Sequence, residues 1–94
     1  MAERRRIARF LVSTGDFLRM PKSAQALYFH LVIQANDEGR MDPICVAGMV
    51  HASPDDLKIL AAKGYIEYLS KSIAYITHWR LHNAETRKEG EQHG

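Results

Sequence analysis

Apolar residues recur along the chain with two different spacings, which predict where the helices and strands lie. Between Lys22 and Ala35, apolar side chains fall at helical intervals, at Ala24, Leu27, Tyr28, Leu31, Val32 and Ala35. This spacing predicts a helix with one buried face, which Phe29 and Ile33 widen. From Tyr65 the spacing changes to two, with a polar turn at residues 70–72 and strand-like composition from Ile73 to Leu81. The second half of the chain is therefore predicted to end in a β-hairpin.

Two shorter helices are predicted between the long helix and the hairpin. The first covers Ile44 to Val50 and follows Pro43, a residue that suits the first turn of a helix. After the short connection His51-Ala52, the second starts with a hydroxyl cap, a proline and two acids, at Ser53, Pro54, Asp55 and Asp56. It runs from about Pro54 to Lys63 and stops at Gly64. Two helices joined this closely indicate a helix-turn-helix unit.

The N-terminal part carries weaker signals. The segment Arg6 to Val12 is rich in apolar residues and is predicted as a short strand. Asp16 is predicted to cap a helical turn through Phe17, Leu18 and Met20, and Gly39 to supply a positive φ in the turn after the long helix. A strand, a long helix, a helix-turn-helix pair and a hairpin follow the order of a winged helix, in which the hairpin is the wing. We expect an α+β winged-helix domain over residues 1–83 and a polar, disordered tail or linker over residues 84–94.

Composition limits the classes of protein that fit. The chain has 94 residues, of which 46% are hydrophobic and 26% charged, so it suits one small domain and excludes a two-domain enzyme. Its one cysteine, Cys45, cannot pair within the chain and is expected to be a small buried side chain. Neither a bilayer-spanning stretch nor a secretory signal is evident, which predicts a cytoplasmic protein. No arrangement of residues suggests catalysis, and no cofactor is expected.

Several short motifs resemble one protein family. They are Asp16-Phe17-Leu18 with Met20-Pro21, Ser23 with the run from Gln25 to Leu31, the acidic turn from Ala35 to Gly39, and the run from Ile76 to Asn83. These motifs are similar to those of the N-terminal winged-helix domain of phage replisome organisers and DnaD-like replication initiation proteins, over about Arg4 to Asn83. The resemblance implies a DNA-binding or self-assembling module for replication initiation, with a replicative helicase or its loader as a partner of further regions. It supports the fold more strongly than the mechanism.

The basic residues are the candidates for DNA contact. The formal net charge is only +2, but four arginines crowd the N-terminus. If the first strand lies beside the hairpin, these arginines would join other cations in a surface that binds phosphates. Lys71 at the wing tip is the best-placed single candidate, and Lys58 and Lys63 lie on the predicted recognition helix. The candidates are Arg4, Arg5, Arg6, Arg9, Arg40, Lys58, Lys63, Lys71 and Arg80.

Two observations point away from base-specific binding by the recognition helix. Asp55 and Asp56 stand at the end that would approach the DNA, where carboxylates repel phosphates although they complement the helix dipole. In addition, Leu57, Ile59, Ala61 and Ala62 leave little polar surface for reading bases. An ordinary helix-turn-helix transcription regulator would carry basic and amide residues there, and it stays a second alternative.

The hairpin aromatics suggest the first alternative, a homo-oligomerising or partner-docking module without direct DNA contact. One face of so small a sheet cannot bury Tyr65, Tyr68, Tyr75 and Trp79, so some of these four rings are expected at an interface or stacked on single-stranded nucleic acid. The five histidines do not favour a metal site. His78 and His82 would lie about 13 Å apart on a strand, and could meet only if the end of the hairpin were helical.

Overall fold

The computed structural model describes residues 6–83, which form an α+β domain of six helices and a three-stranded antiparallel sheet. The elements are α1 (Arg9–Val12), α2 (Gly15–Leu18), α3 (Lys22–Gln34), β1 (Arg40–Met41), α4 (Pro43–Met49), α5 (Pro54–Ala62), β2 (Ile66–Tyr68), β3 (Ala74–Ile76) and α6 (residues 79–83). The three helices predicted from the apolar spacing are confirmed as α3, α4 and α5, to within one residue at each end.

Helix α3 lies at the centre of the domain and packs against both α4 and α5. Its predicted face is buried at Ala24, Leu27, Tyr28, Leu31 and Val32. The Tyr28 ring meets those of Phe17 and Tyr65 edge-on, with centroids 5.5 and 5.6 Å away, and these contacts join α2 and the start of the hairpin to α3. Ile33 does not widen the face as expected, because it points outward and is 53% exposed.

The sheet has the strand order β1-β3-β2, with Arg40 opposite Tyr75 and Ile66 opposite Ile76. The predicted hairpin is confirmed, but the predicted N-terminal strand is wrong. The strand beside β3 is Arg40–Met41, whereas Arg9–Val12 forms one helical turn. The reason lies in the backbone N–H groups of Arg6 and Ala8, which donate to the side chains of Asn83 and His82 instead of to a strand.

The strand character predicted up to Leu81 ends at Ile76, and the chain then turns into α6. Trp79 and His82 are 7% and 2% exposed, and they stand three residues apart on one face of this helix. A strand would point residues of odd separation to opposite faces, so it could not bury both rings. Burial of both side chains therefore requires the helix.

The turn between α3 and β1 is built around Gly39 and Asn36. Gly39 has φ 83°, which confirms the positive φ expected there, and Gly64 ends α5 with φ 84°. The Asn36 side-chain oxygen accepts hydrogen bonds from the N–H groups of Glu38 and Arg40 at 2.8 and 3.1 Å. The Trp79 indole N–H donates to the Asp37 carbonyl at 3.1 Å and places its ring over Gly39. This turn fixes β1 beside β3.

Helix α2 begins two residues earlier than predicted. Its N-cap is Thr14, whose hydroxyl oxygen accepts from the Phe17 N–H at 3.1 Å, and Asp16 lies inside the first turn. The Asp16 carboxylate is instead engaged by Lys63 and by the Tyr65 hydroxyl, both of which approach from the end of α5. Long-range partners therefore displaced the local capping role that was expected of Asp16.

Candidate nucleic-acid interface

Helix α5 presents a mixed, sparsely charged face to solvent. Ser53 caps it by accepting from the Asp55 N–H at 3.0 Å, and Leu57 and Leu60 are buried against the core. The exposed positions along the helix after its first proline are Asp55, Lys58 and Ala62. The exposed surface of α5 therefore carries one carboxylate and one ammonium group, and few groups that could read bases.

The two acids at the start of α5 have different surroundings. Asp56 is 5% exposed, and its Oδ1 accepts from the Ser23 hydroxyl of α3 at 2.9 Å. Within the described residues, nothing donates to its second oxygen, Oδ2. The sequence placed both carboxylates at the end of the helix that would approach DNA, where they complement the helix dipole, but the Asp56 side chain is turned into the fold. Only Asp55 remains to repel a phosphate that approaches this end of α5.

Lys63, the residue that follows α5, is already paired. Its Nζ lies 3.2 Å from Asp16 Oδ1, and the Tyr65 hydroxyl donates to the other carboxylate oxygen at 3.2 Å. The hydrogen bond from Lys63 holds the pKa of Asp16 below its usual value. The ion pair reduces the positive charge that Lys63 offers to a phosphate.

The loop between β2 and β3 forms an exposed tip with Lys71 at its end. The Ser70 side-chain oxygen accepts from the N–H groups of Ser72 and Ile73 at 3.3 and 3.2 Å, and the Leu69 N–H donates to the Ile73 carbonyl at 2.8 Å. These bonds close the loop so that Lys71 projects from it. The tip is the one place on the hairpin where a cation is presented without an acid beside it in the sequence.

Arg40 and Arg80 stand at different parts of the sheet region. Arg40 is on β1 opposite Tyr75, and its guanidinium lies 3.7 Å from the Glu38 carboxylate. Arg80 is exposed on α6. The sequence predicted that these two arginines would join Lys71 and the N-terminal arginines if a first strand lay beside the hairpin. Because that strand is absent between residues 6 and 12, the condition for this single surface is not met.

The described part of the N-terminal segment instead forms an open groove with α6. The groove has a volume of about 520 Å³. It is lined by Arg6, Ile7, Ala8, Arg9, Phe10, Leu81 and His82, and we call these seven residues the terminal groove. Phe10 and Leu81 are 63% and 54% exposed. Arg4 and Arg5 lie outside the described residues. The groove combines guanidinium groups with accessible apolar side chains.

His82 holds the terminal groove together, and sequence reasoning assigned it no such role. Its Nδ1 accepts from the Ala8 N–H at 2.8 Å, and its Nε2 lies 2.7 Å from the Tyr28 hydroxyl. Since the Ala8 N–H can only donate, the ring proton sits on Nε2 and is donated to the Tyr28 oxygen. Burial lowers the pKa of His82 to about 4, with a further contribution from the nearby His78. The ring is therefore neutral at pH 7.

The four hairpin aromatics are not equivalent. Tyr65 and Trp79 are each 7% exposed and belong to the core, so the expectation that they form an interface is corrected. The Tyr65 ring packs on Phe17, and the Trp79 ring packs on Gly39. Tyr68 is exposed and Tyr75 half-buried, which leaves these two accessible to a partner. The Tyr65 ring can be buried at the start of the hairpin because α2 and α3 extend the core beneath it.

Other reactive groups do not gather into a site. Residues 6–83 contain no cluster of three or more His, Cys, Asp or Glu side chains that could hold a metal ion. His78 immediately precedes α6 and His82 lies within it, and the His82 N–H donates to the His78 carbonyl. Cys45 is exposed on α4, contrary to the expected burial.

The chain matches no protein-family model, no curated protein and no solved structure. Within residues 6–83, no helix combines the length and the apolar composition that crossing a bilayer requires.

Proposed function

We propose that the chain is a non-catalytic winged-helix module that binds DNA mainly through backbone phosphates. In this proposal α4 and α5 are the helix-turn-helix pair and the β2–β3 hairpin is the wing. The resemblance of its motifs to replisome organisers and DnaD-like proteins suggests a role in replication initiation, in which a helicase or its loader would be a further partner. The proposal concerns the class of ligand and leaves the DNA sequence open.

The observation that carries the proposal is the placement of α5 against the hairpin. The elements α3, β1, α4, α5, β2 and β3 follow one another in the order of a winged helix, and β1 completes the sheet beside β3. Helix α5 contacts β2, the first strand of the wing, so the helix and the wing are neighbours in the fold. Lys58 on α5 and Lys71 on the wing tip are both exposed. We infer that a duplex laid along α5 and the wing contacts both ammonium groups.

The burial of Asp56 supports phosphate binding at α5. An exposed carboxylate near a phosphate is repulsive, and with Asp56 bonded to Ser23 the exposed face of α5 carries only one acid. The same face lacks arginine, asparagine and glutamine, which are the residues that most often read base edges. We therefore infer slight sequence selectivity, which disfavours the transcription-regulator alternative.

Fluorescence anisotropy with a labelled random-sequence duplex at several salt concentrations tests the proposal. The parent is compared with Lys58→Ala/Lys71→Ala and with the control Arg19→Ala, which removes one exposed cation from the end of α2. Each lost phosphate contact lowers the slope of log K against log salt by about 0.9. We expect the double variant to lose about 2 units of slope and the control to bind as the parent does. Equal slopes for the parent and the double variant, or no binding by the parent at low salt, contradict the proposal.

A second candidate function is self-assembly or partner docking without DNA contact. It is favoured by the wing, where Tyr68, Leu69 and Ile73 are 41%, 48% and 38% exposed around the tip. Apolar groups grouped in this way often mark protein interfaces. Light scattering over a range of protein concentrations distinguishes the two functions. Concentration-dependent oligomers that are lost in Leu69→Ser, together with absence of DNA binding, would favour this candidate over the first.

A further inference from the structure

The terminal groove carries features that a duplex backbone does not need. Phosphates of a duplex require only cations and hydrogen-bond donors, whereas this groove also exposes the Phe10 ring and the Leu81 side chain to more than half of their area. Exposing both side chains beside two arginines is costly in water. A ligand that offers apolar faces and negative charges together would cover all of these groups.

We propose that the terminal groove binds an unpaired DNA strand, with a base stacked on Phe10 and its flanking phosphates held by Arg9 and Arg6. The inference rests on the proposed function, because it adds a second form of DNA to the duplex that the module is proposed to bind. An unpaired strand presents base faces and phosphates in alternation, which a duplex does not. The duplex is then bound at α5 and the wing, and the single strand at the terminal groove.

The charge of the groove fits this ligand. Of the described residues that line it, two are arginines and none is an acid. Arg80, which precedes Leu81 on α6, is exposed and adds a third guanidinium to this part of the chain. Phe10 and Arg9 both line the groove, so a base on the ring would bring its phosphate towards a cation.

An acidic amphipathic helix would also suit the chemistry of the groove. The size of the groove favours a nucleotide over such a helix. Such a helix is held by several apolar anchors spaced over two or more turns, about 10 Å or more along its axis. The terminal groove offers two strongly exposed apolar side chains and about 520 Å³, which suits one or two stacked nucleotides. The observations therefore favour the single strand over the peptide.

The geometry of the groove is set by two backbone-to-side-chain hydrogen bonds and not by the side chains of Arg9 and Phe10. The Ala8 N–H is bound by His82 Nδ1, and the Arg6 N–H by Asn83 Oδ1 at 3.2 Å. The backbone that carries Arg9 and Phe10 is consequently fastened to α6 before any ligand arrives. Substitution of Phe10 leaves these bonds in place, so it tests binding without removing the support of the groove.

The test uses three labelled probes of equal length: an oligothymidine strand, the same strand with abasic sites, and a random duplex. Binding is measured by anisotropy for the parent, Phe10→Ala, Phe10→Trp and the control Ile33→Ala, which removes an apolar side chain of similar exposure on α3. Stacking on one base predicts that Phe10→Ala weakens oligothymidine binding about 5- to 150-fold. Phe10→Trp is expected to retain binding, and Ile33→Ala to match the parent. Duplex binding should change less than about twofold in all variants.

Three outcomes would overturn the inference. One is equal oligothymidine affinity of the parent and Phe10→Ala, and another is equal affinity of the parent for the thymidine and abasic strands. The third is displacement of the strand by a short acidic, leucine-containing peptide that binds more tightly in a Phe10-dependent way, which would assign the groove to a protein partner. If the parent binds oligothymidine in a Phe10-dependent way but does not bind the duplex, the result contradicts the proposed function and supports this inference. Near-ultraviolet signals from the buried Trp79 confirm that each variant is folded.

Discussion

Acid should destabilise the fold through one buried histidine. The folded protein keeps His82 neutral, with Nδ1 accepting from Ala8 and Nε2 donating to Tyr28, and burial lowers its pKa from 6.5 to about 4. In the unfolded chain the ring has an ordinary pKa and takes up a proton below about pH 6.5. Between these two values the unfolded state binds more protons than the folded state, so the free energy of unfolding falls as the pH falls.

The magnitude follows from the pKa difference. A shift of one pKa unit corresponds to about 1.36 kcal/mol, so the change from 6.5 to about 4 is worth at most about 3 kcal/mol. This stability is fully present above pH 6.5, is lost between pH 6.5 and 4, and changes no further below pH 4. The carboxylate with a lowered pKa, Asp16, acts in a different window, since its stabilisation is lost only below its ordinary value of 3.8.

Urea denaturation followed by the fluorescence of the one tryptophan, Trp79, measures this effect at pH values from 4 to 7.5. The parent is compared with His82→Gln, whose side chain does not titrate, and with the control His30→Gln at an exposed position of α3. We expect the parent and the control to lose about 2 to 3 kcal/mol between pH 6.5 and 4, and His82→Gln to be less stable at pH 7 but flatter with pH. Parallel curves for all three proteins would refute the reasoning.

Four further substitutions test the local structure by urea denaturation at pH 7. Gly39→Ala places a Cβ 2.5 Å from the Trp79 Cγ at a φ of 83°, so we expect a loss of about 3 kcal/mol or more, whereas Gly64→Ala, with a φ of 84° and open space around it, should lose only about 1 to 2 kcal/mol. Equal losses would mean that the Trp79 contact is not what constrains Gly39. Asp42→Ala removes the cap that accepts from the Cys45 N–H at 3.1 Å, and we expect a loss of about 1 kcal/mol; an unchanged midpoint would argue against the cap. Tyr28→Phe deletes the hydroxyl that accepts from His82, and a loss of about 1 to 3 kcal/mol is expected, with no loss if another group satisfies the ring.

The parts of the fold that the sequence predicts well are those determined by neighbours along the chain. Helices α3, α4 and α5 each have a periodic apolar face, and α4 and α5 start at a polar cap followed by proline. Gly39 and Gly64 mark two turns in which a glycine has a positive φ. In each case the deciding interactions lie within a few residues, so local chemistry is sufficient.

The parts that the sequence misplaces are held by distant partners. Residues 6–12 have a composition that suits a strand, but the Ala8 N–H binds a side chain 74 positions away. Before the position of α6 is known, nothing in the local pattern distinguishes a strand from a single helical turn. The signal for α6 was present in the spacing of Trp79 and His82, which matches one face of a helix, but it covers too few residues to outweigh the strand-like run before it.

In the candidate site, too, some features follow from neighbouring residues and others depend on distant contacts. Asp55 and Asp56 look alike from the sequence, because both acids suit the positive end of α5. The packing of α3 on α5 separates them, since it puts Ser23 beside Asp56. One local clue was available, because Asp56 precedes the buried Leu60 by four residues and therefore shares its face. A helical projection of α5 would have placed this carboxylate towards the core.

His82 connects the stability of the fold with the chemistry of the terminal groove. The neutral ring supplies the acceptor for the Ala8 N–H, and that bond fastens the segment from Arg6 to Phe10 against α6. When the ring is protonated, Nδ1 carries a hydrogen and can no longer accept from Ala8. Acid should therefore loosen the groove through the same event that lowers the stability of the domain. Helix α5 and the wing use no bond to His82, so the phosphate contacts proposed for Lys58 and Lys71 depend on this ring only through the overall stability of the fold.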